Sequence, residues 1–136
     1  MKTITLDTGI EEFSFAGGGV LRFNPRDPNL YARFLEMEKD MQEIEDELSR
    51  AAGDGSAPEV VIRLSHEADK RAKKLLNRVF GGENDFDKIL GGVSLLAVTG
   101  NGQRVVSNLM EILENILTEG AARFAADKAD AIRAAQ

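Results

Sequence analysis

Apolar residues in this chain keep two different rhythms. At the N-terminus they alternate: Ile4 and Leu6, then Ile10, then Phe13 and Phe15 within "TITLDTGIEEFSF". A period of two predicts strands with one covered face, and "DTG" at residues 7–9 supplies turn chemistry between the first two runs. After "AGGG" at residues 16–19, "VLRF" offers a third short strand with Val20, Leu21 and Phe23. Three short strands with one apolar face need a covering layer, which the rest of the chain is expected to supply as helices.

From Leu30 onward the spacing becomes helical. Asp27 is placed to cap a helix and Pro28 to occupy its first turn, where a missing N–H costs nothing. Leu30, Phe34, Met37, Met41, Ile44 and Leu48 then recur at spacings of four and three, a heptad-like seam. "AAGDGSAP" at residues 51–58 reads as a turn. A second helix is predicted from about Ala57 to Phe80, with Val61, Leu64, Ala68, Leu75 and Val79 as its stripe and Gly81 and Gly82 as its stop. "ENDFDKIL" predicts a short helix capped by Asn84 or Asp85, with Phe86, Ile89 and Leu90 inward, ended by Gly91 and Gly92. "VSLLAVT" fits a buried strand or a short helix equally.

The last helix is expected to start near Gly102, with Val106, Leu109, Met110, Leu113, Ile116 and Leu117 as a wide apolar face. Beyond Gly120 the pattern thins to Ala121, Phe124, Ala125, Ala129, Ile132 and Ala135. Alanine favours helix but buries little, so this tail is expected to project or to dock on another chain. If unbroken, the helix reaches roughly 45–50 Å at 1.5 Å per residue. Met110, Leu113, Leu117, Ala121, Phe124 and Ile132 are the expected protein-binding positions. The whole pattern describes an α+β fold, mostly α, in one domain over residues 1–136. A small N-terminal antiparallel β-meander (1–24) precedes a helical body (27–119) and a helical tail or arm (120–136).

Composition narrows the function classes. The chain has 136 residues and no cysteine, which removes disulfides and thiolate metal sites and suits a reducing cytosol. Lys2 is followed by alternation rather than an apolar run, so no signal peptide is expected. No apolar run approaches the roughly 20 residues of a membrane helix. The net charge of −6 disfavours nucleic acid as a partner. The charge is segregated: residues 28–52 hold seven acids and three bases, residues 58–80 six bases and three acids. An antiparallel helical hairpin would bring these flanks together, and exposed pairs at ~0.2–1 kcal/mol each select the pairing more than they stabilise it.

Candidate chemistry is sparse. "AVTGNGQR" at residues 97–104 has the outline of a phosphate loop, but Gln103 and Arg104 stand where a P-loop needs Lys and Ser or Thr, and Val105 stands where a dinucleotide fingerprint needs its third glycine. A glycine turn, with Asn101 tolerating a left-handed conformation, is the expected reading. His66, the one histidine, sits between Ser65 and Glu67 on a helix, where consecutive side chains diverge, so no triad is indicated. The acids of residues 36–47 lack an oxygen-rich loop and read as a solvated face. Glu83, Asp85 and Asp87 favour a helix N-terminus. The basic cluster at residues 70–74 has no interleaved aromatic and an acidic helix to pair with. Met37, Met41 and Met110 suit a core or an adaptable interface.

The order of these pieces resembles the small tail assembly chaperones of long-tailed (siphovirus-type) phages and prophages of Gram-positive bacteria. The similar segments are "ITLDTGIEEFSF", "NPRDPNLYARFLEME" leading into a long acidic helix, "LLNRVFGGENDFDKILGG" and "SLLAVTGNGQRVVSNLMEILENI". In that family a V-F-G segment precedes a short helix, a glycine turn and a final apolar helix. Val79, Phe80 and Gly81 match the first, Gly91 and Gly92 the turn, and residues 105–116 the last. The resemblance covers most of the chain up to Gly120. It implies a non-enzymatic protein with no catalytic, cofactor-binding or metal residue, which binds the tape-measure protein, keeps it soluble and helps bring tail-tube subunits to it. It further implies work in the host bacterial cytoplasm and absence from the mature virion, with neither nucleic acid nor membrane as partner and homo-oligomerisation open. Two other classes are compatible with the residues alone: a homo-oligomeric helical interaction module using the seam of residues 30–48, and a small nucleotide-binding enzyme using Gly100 and Gly102.

Overall fold

Asp27 starts the first helix. In a computed structural model describing residues 1–53 and 55–135, its carboxylate accepts the Asn29 N–H at 2.9 Å, and Pro28 opens α1 (Pro28–Ala51). Asp54 of the expected turn, Gln136 of the expected arm and the side chains of Ala131 and Ala135 lie outside the described residues. All six seam residues of α1 are buried. α2 (Pro58–Phe80) packs against α1. Its sealed stripe runs through Ala68, Ala72, Leu76 and Val79, while the expected Val61, Leu64 and Leu75 lie half-buried on the flanks. The alternating small residues leave room for the bulkier seam of α1. Among the described residues the charge segregation is used once directly, as Arg71 reaches Glu47 at 2.7 Å. Arg33 of α1 donates from Nε to the Val79 carbonyl at 2.9 Å, placing a cation at the C-terminal dipole of α2.

β1 (Glu11–Ser14) and β2 (Val20–Phe23) form an antiparallel hairpin, with Glu11 opposite Phe23 and Phe13 opposite Leu21. The first strand of the expected meander does not form. Residues 1–8 are exposed, and among the described residues no strand lies alongside β1 on its far side to receive them. The fold class is nonetheless α+β, mostly α, with a small antiparallel sheet preceding the helices. Leu21 and Phe23 are buried, and rings link the sheet to the helices: Phe13 stacks on Phe23 at 4.6 Å, Phe23 meets Phe80 edge-on at 5.0 Å, and Phe80 meets Phe86 at 5.4 Å. Two of the three glycines have a steric cause: a Cβ on Gly18 or Gly19 would stand 2.9 or 2.8 Å from the Ile89 backbone, to which the Gly19 N–H donates.

α3 (Phe86–Ile89) is capped by Asp85, and its Phe86 N–H donates to Asn77 Oδ1 of α2 at 2.8 Å. "VSLLAVT" forms neither a regular helix nor a named strand: Leu95 and Leu96 plug the core, and Val98 makes a single antiparallel bridge with Arg104. α4 (Val105–Ala135) then runs unbroken through Gly120. That glycine is buried because the helix presses there on the Pro25 carbonyl, where any Cβ would collide.

Candidate functional site

The glycine loop is a closed turn. Gly102 takes φ +82°, while Asn101 keeps an ordinary φ and contributes through its side chain, whose Oδ1 accepts the Gln103 N–H at 2.9 Å. A positive φ is expected at Gly100 or Gly102, and Gly102 takes it, while Asn101, which would tolerate one, does not. The Gly102 N–H donates to the Thr99 carbonyl at 3.0 Å, the Val105 N–H to Ala97 at 2.9 Å and the Val106 N–H to Leu95 at 2.8 Å. A phosphate at a helix N-terminus needs such amides pointing outward and unengaged. Here the first turn of α4 spends them on the preceding segment, and Asn108 ties the loop to the helix through Thr99 at 3.1 Å.

Three of the four cations at residues 70–74 are engaged. Lys70 pairs with Glu67 at 3.7 Å and Arg71 with Glu47. Lys73 is buried, its side chain 7% exposed beside Asp69 at 8%, with its Nζ 2.9 Å from Asp69 and 2.6 Å from Asp87 of α3. Asp69 also accepts the Leu95 N–H at 2.7 Å, so one buried pair joins α2, α3 and the segment before α4. Burial is the largest single influence on Lys73 and would lower its pKa. The hydrogen bonds and charges of Asp87 and Asp69 outweigh it and hold the ammonium above its ordinary 10.5. The Lys73 hydrogen bond and charge likewise hold Asp87 below 3.8. A lysine kept protonated and held by two carboxylates is a structural cation and a poor nucleophile. The sequence signal was present: Asp69 and Lys73 stand four apart and flank the Ala72 and Leu76 stripe. Counting them within a charged flank concealed it.

His66 is exposed on α2. Among the described residues no three carboxylate or imidazole groups converge closely enough to hold a metal ion. On α1, burial and then Glu114 of α4 raise Glu38 above its ordinary 4.5.

What remains is apolar surface. A groove of about 350 Å³ lies between the hairpin and α4, walled by Phe13, Phe15, Leu21, Phe23, Ile112, Leu113 and Ile116. Past Gly120, the cover on α4 thins. Its last tie is Arg26 to Asp127 at 3.4 Å, and residues 122–128 are all exposed. Of the expected binding positions, Leu113 and Leu117 are core residues at 1% and 0% exposure, which fasten α4 to the body. Met110 and Ala121 are half-buried, and Phe124 and Ile132 are partly exposed at 40% and 54%. Phe13, Phe15 and Ile112 were not among the expected binding positions, because an apolar residue that lines a groove and one that fills a core carry the same pattern. No helix among the described residues is long and apolar enough to cross a membrane. No family model, curated protein or solved structure matches the chain.

Proposed function

We propose that this protein is a phage tail assembly chaperone that holds a helical segment of the tape-measure protein on the free end of α4 and helps gather tail-tube subunits around it. It acts in the bacterial host cytoplasm, without cofactor or catalysis, and leaves before the virion is complete. The overhang of α4 carries the reading. A helix of 31 residues runs on past its ion pair with the body at Asp127, and its outer half exposes Phe124 at 40% and Ile132 at 54%. An apolar pair on one helix, with four alanines among the seven residues between them, suits lateral docking of a second amphipathic helix. The engaged amides of the glycine loop and the carboxylate-held Lys73 favour a binding role over a catalytic one.

Co-expression of the full chain with a tape-measure protein, expected to be encoded downstream of it, tests this. The expected outcome is a soluble complex that co-elutes. Phe124→Glu combined with Ile132→Glu, two exposed positions whose change leaves the body folded, should return the tape-measure protein to the insoluble fraction. A tape-measure protein that is equally soluble with and without the chain ends the proposal.

A further inference from the structure

One edge of the sheet is closed and the other is open. The Arg22 N–H donates to Asn84 Oδ1 at 2.9 Å and Asn84 Nδ2 donates to the Arg22 carbonyl at 2.7 Å, so a side-chain amide stands where a neighbouring strand would lie beside β2. Arg22 therefore turns its backbone groups away from β1, and its pairing with Glu12 is a non-hydrogen-bonded one. By the alternation of an antiparallel ladder, Glu12 and Ser14 present their N–H and C=O groups to the opposite edge. Among the described residues no strand pairs there. Beside that edge lies the apolar groove, with Phe13, Phe15, Ile112 and Ile116 in its walls. Unpaired edges over apolar surface are normally blocked or filled.

The chain carries a segment that matches this edge. Residues 1–8 are exposed, with Ile4 at 88% and Leu6 at 76%, and Lys2, Ile4 and Leu6 share one face of an extended chain. Glu11, Phe13 and Phe15 share one face of β1 at the same spacing. A parallel alignment sets Lys2 beside Glu11, Ile4 beside Phe13 and Leu6 beside Phe15, with Thr3 and Thr5 beside Glu12 and Ser14 on the other face. A fold-back of the same segment through residues 7–10 is antiparallel; it sets Leu6 against Glu11 and Lys2 against Phe15. Parallel pairing within one chain needs a crossover of about a dozen residues, and four separate Leu6 from Glu11. The root of the segment is fixed to the body, since Asn24 Nδ2 donates to the Thr8 carbonyl at 3.0 Å. We infer that residues 2–6 of one copy add as a parallel strand to the β1 edge of a second copy, with Ile4 and Leu6 covering the groove and Lys2 meeting Glu11. The surface is separate from the α4 overhang and stands whether or not that overhang binds a tape-measure helix.

Cysteine is absent, so introduced pairs report cleanly. Thr5→Cys with Ser14→Cys should give a covalent dimer under mild oxidation, and Thr3→Cys with Ser14→Cys, the antiparallel neighbours, should not. Light scattering of the unmodified full chain at 100 µM should give a mass of two copies or more. Ile4→Asp with Leu6→Asp, both solvent-exposed in the single copy, should return it to one copy with an unchanged circular dichroism spectrum. A monomeric mass for the unmodified chain, or an intrachain disulfide in the Thr3/Ser14 pair, overturns the inference.

Discussion

The carbonyl oxygen of Pro25 occupies the space in which a side chain on Gly120 would begin. Helix interiors disfavour glycine by ~1 kcal/mol relative to alanine, so propensity alone predicts that Gly120→Ala stabilises. The contact predicts the reverse. The Pro25 segment joins β2 to α1 and must shift for a methyl group to enter, a strain of about 1–3 kcal/mol. Urea unfolding should show a lower midpoint for the variant; a higher one would mean that α4 does not press on Pro25.

Phe34 is buried at the centre of the helical hairpin, at 1% exposure. Phe34→Ala should destabilise by about 3–5 kcal/mol, the range for a large ring removed from a core that collapses only in part. Chemical denaturation measures it, and a loss under ~0.5 kcal/mol would be the behaviour of a surface position.

Lys73 and Asp87 predict a stability plateau with two edges. A lysine held above 10.5 contributes fully below that value, and the contribution is lost as pH rises through the raised folded pKa. An aspartate held below 3.8 contributes above that value, and the contribution is lost as pH falls through the lowered folded pKa. Asp87→Asn should therefore lower the unfolding midpoint at neutral pH and converge with the parent at acid pH. Lys73→Met should be the more damaging change, at about 3–5 kcal/mol, because it leaves the buried Asp69 charge without its cation.

Glu38 runs the opposite way. Its pKa is raised by burial and by Glu114, so its charge opposes folding at neutral pH and the penalty fades as pH drops through the raised value and below 4.5. Glu38→Gln should stabilise the protein slightly at pH 7 and make no difference well below 4.5. Paired melts at the two pH values check the sign; destabilisation at pH 7 would contradict it.

Features whose cause lies within a few residues were legible in the sequence. The Asp27 cap, Pro28 in the first turn, the six-residue seam of α1 and the cap of α3 all follow from local spacing. What failed depends on a second segment. Ile4 and Leu6 alternate as a strand should, but a strand needs a neighbour, and Asn84 has taken one edge of the sheet while the other stays open. Gly120 is a poor helix former by propensity, and its place inside α4 is explained only by Pro25 against it. Leu113 and Leu117 look the same in the sequence whether they bind a partner or the chain's own core. The apolar groove could not be read in advance, because its walls come from the hairpin and from α4, about 90 residues apart.

The hairpin of α1 and α2 is registered away from its connecting turn. Arg33 clasps the end of α2 from the beginning of α1, and Arg71 clasps Glu47 farther along. Residues 55–60 are exposed or half-buried and carry only local backbone bonds such as Ser56 to Gly53. The chain can therefore be opened there without losing alignment. A peptide epitope inserted after Ser56 should fold with the same helical pairing, because closing a longer loop adds only ~0.6 kcal/mol per doubling of its length.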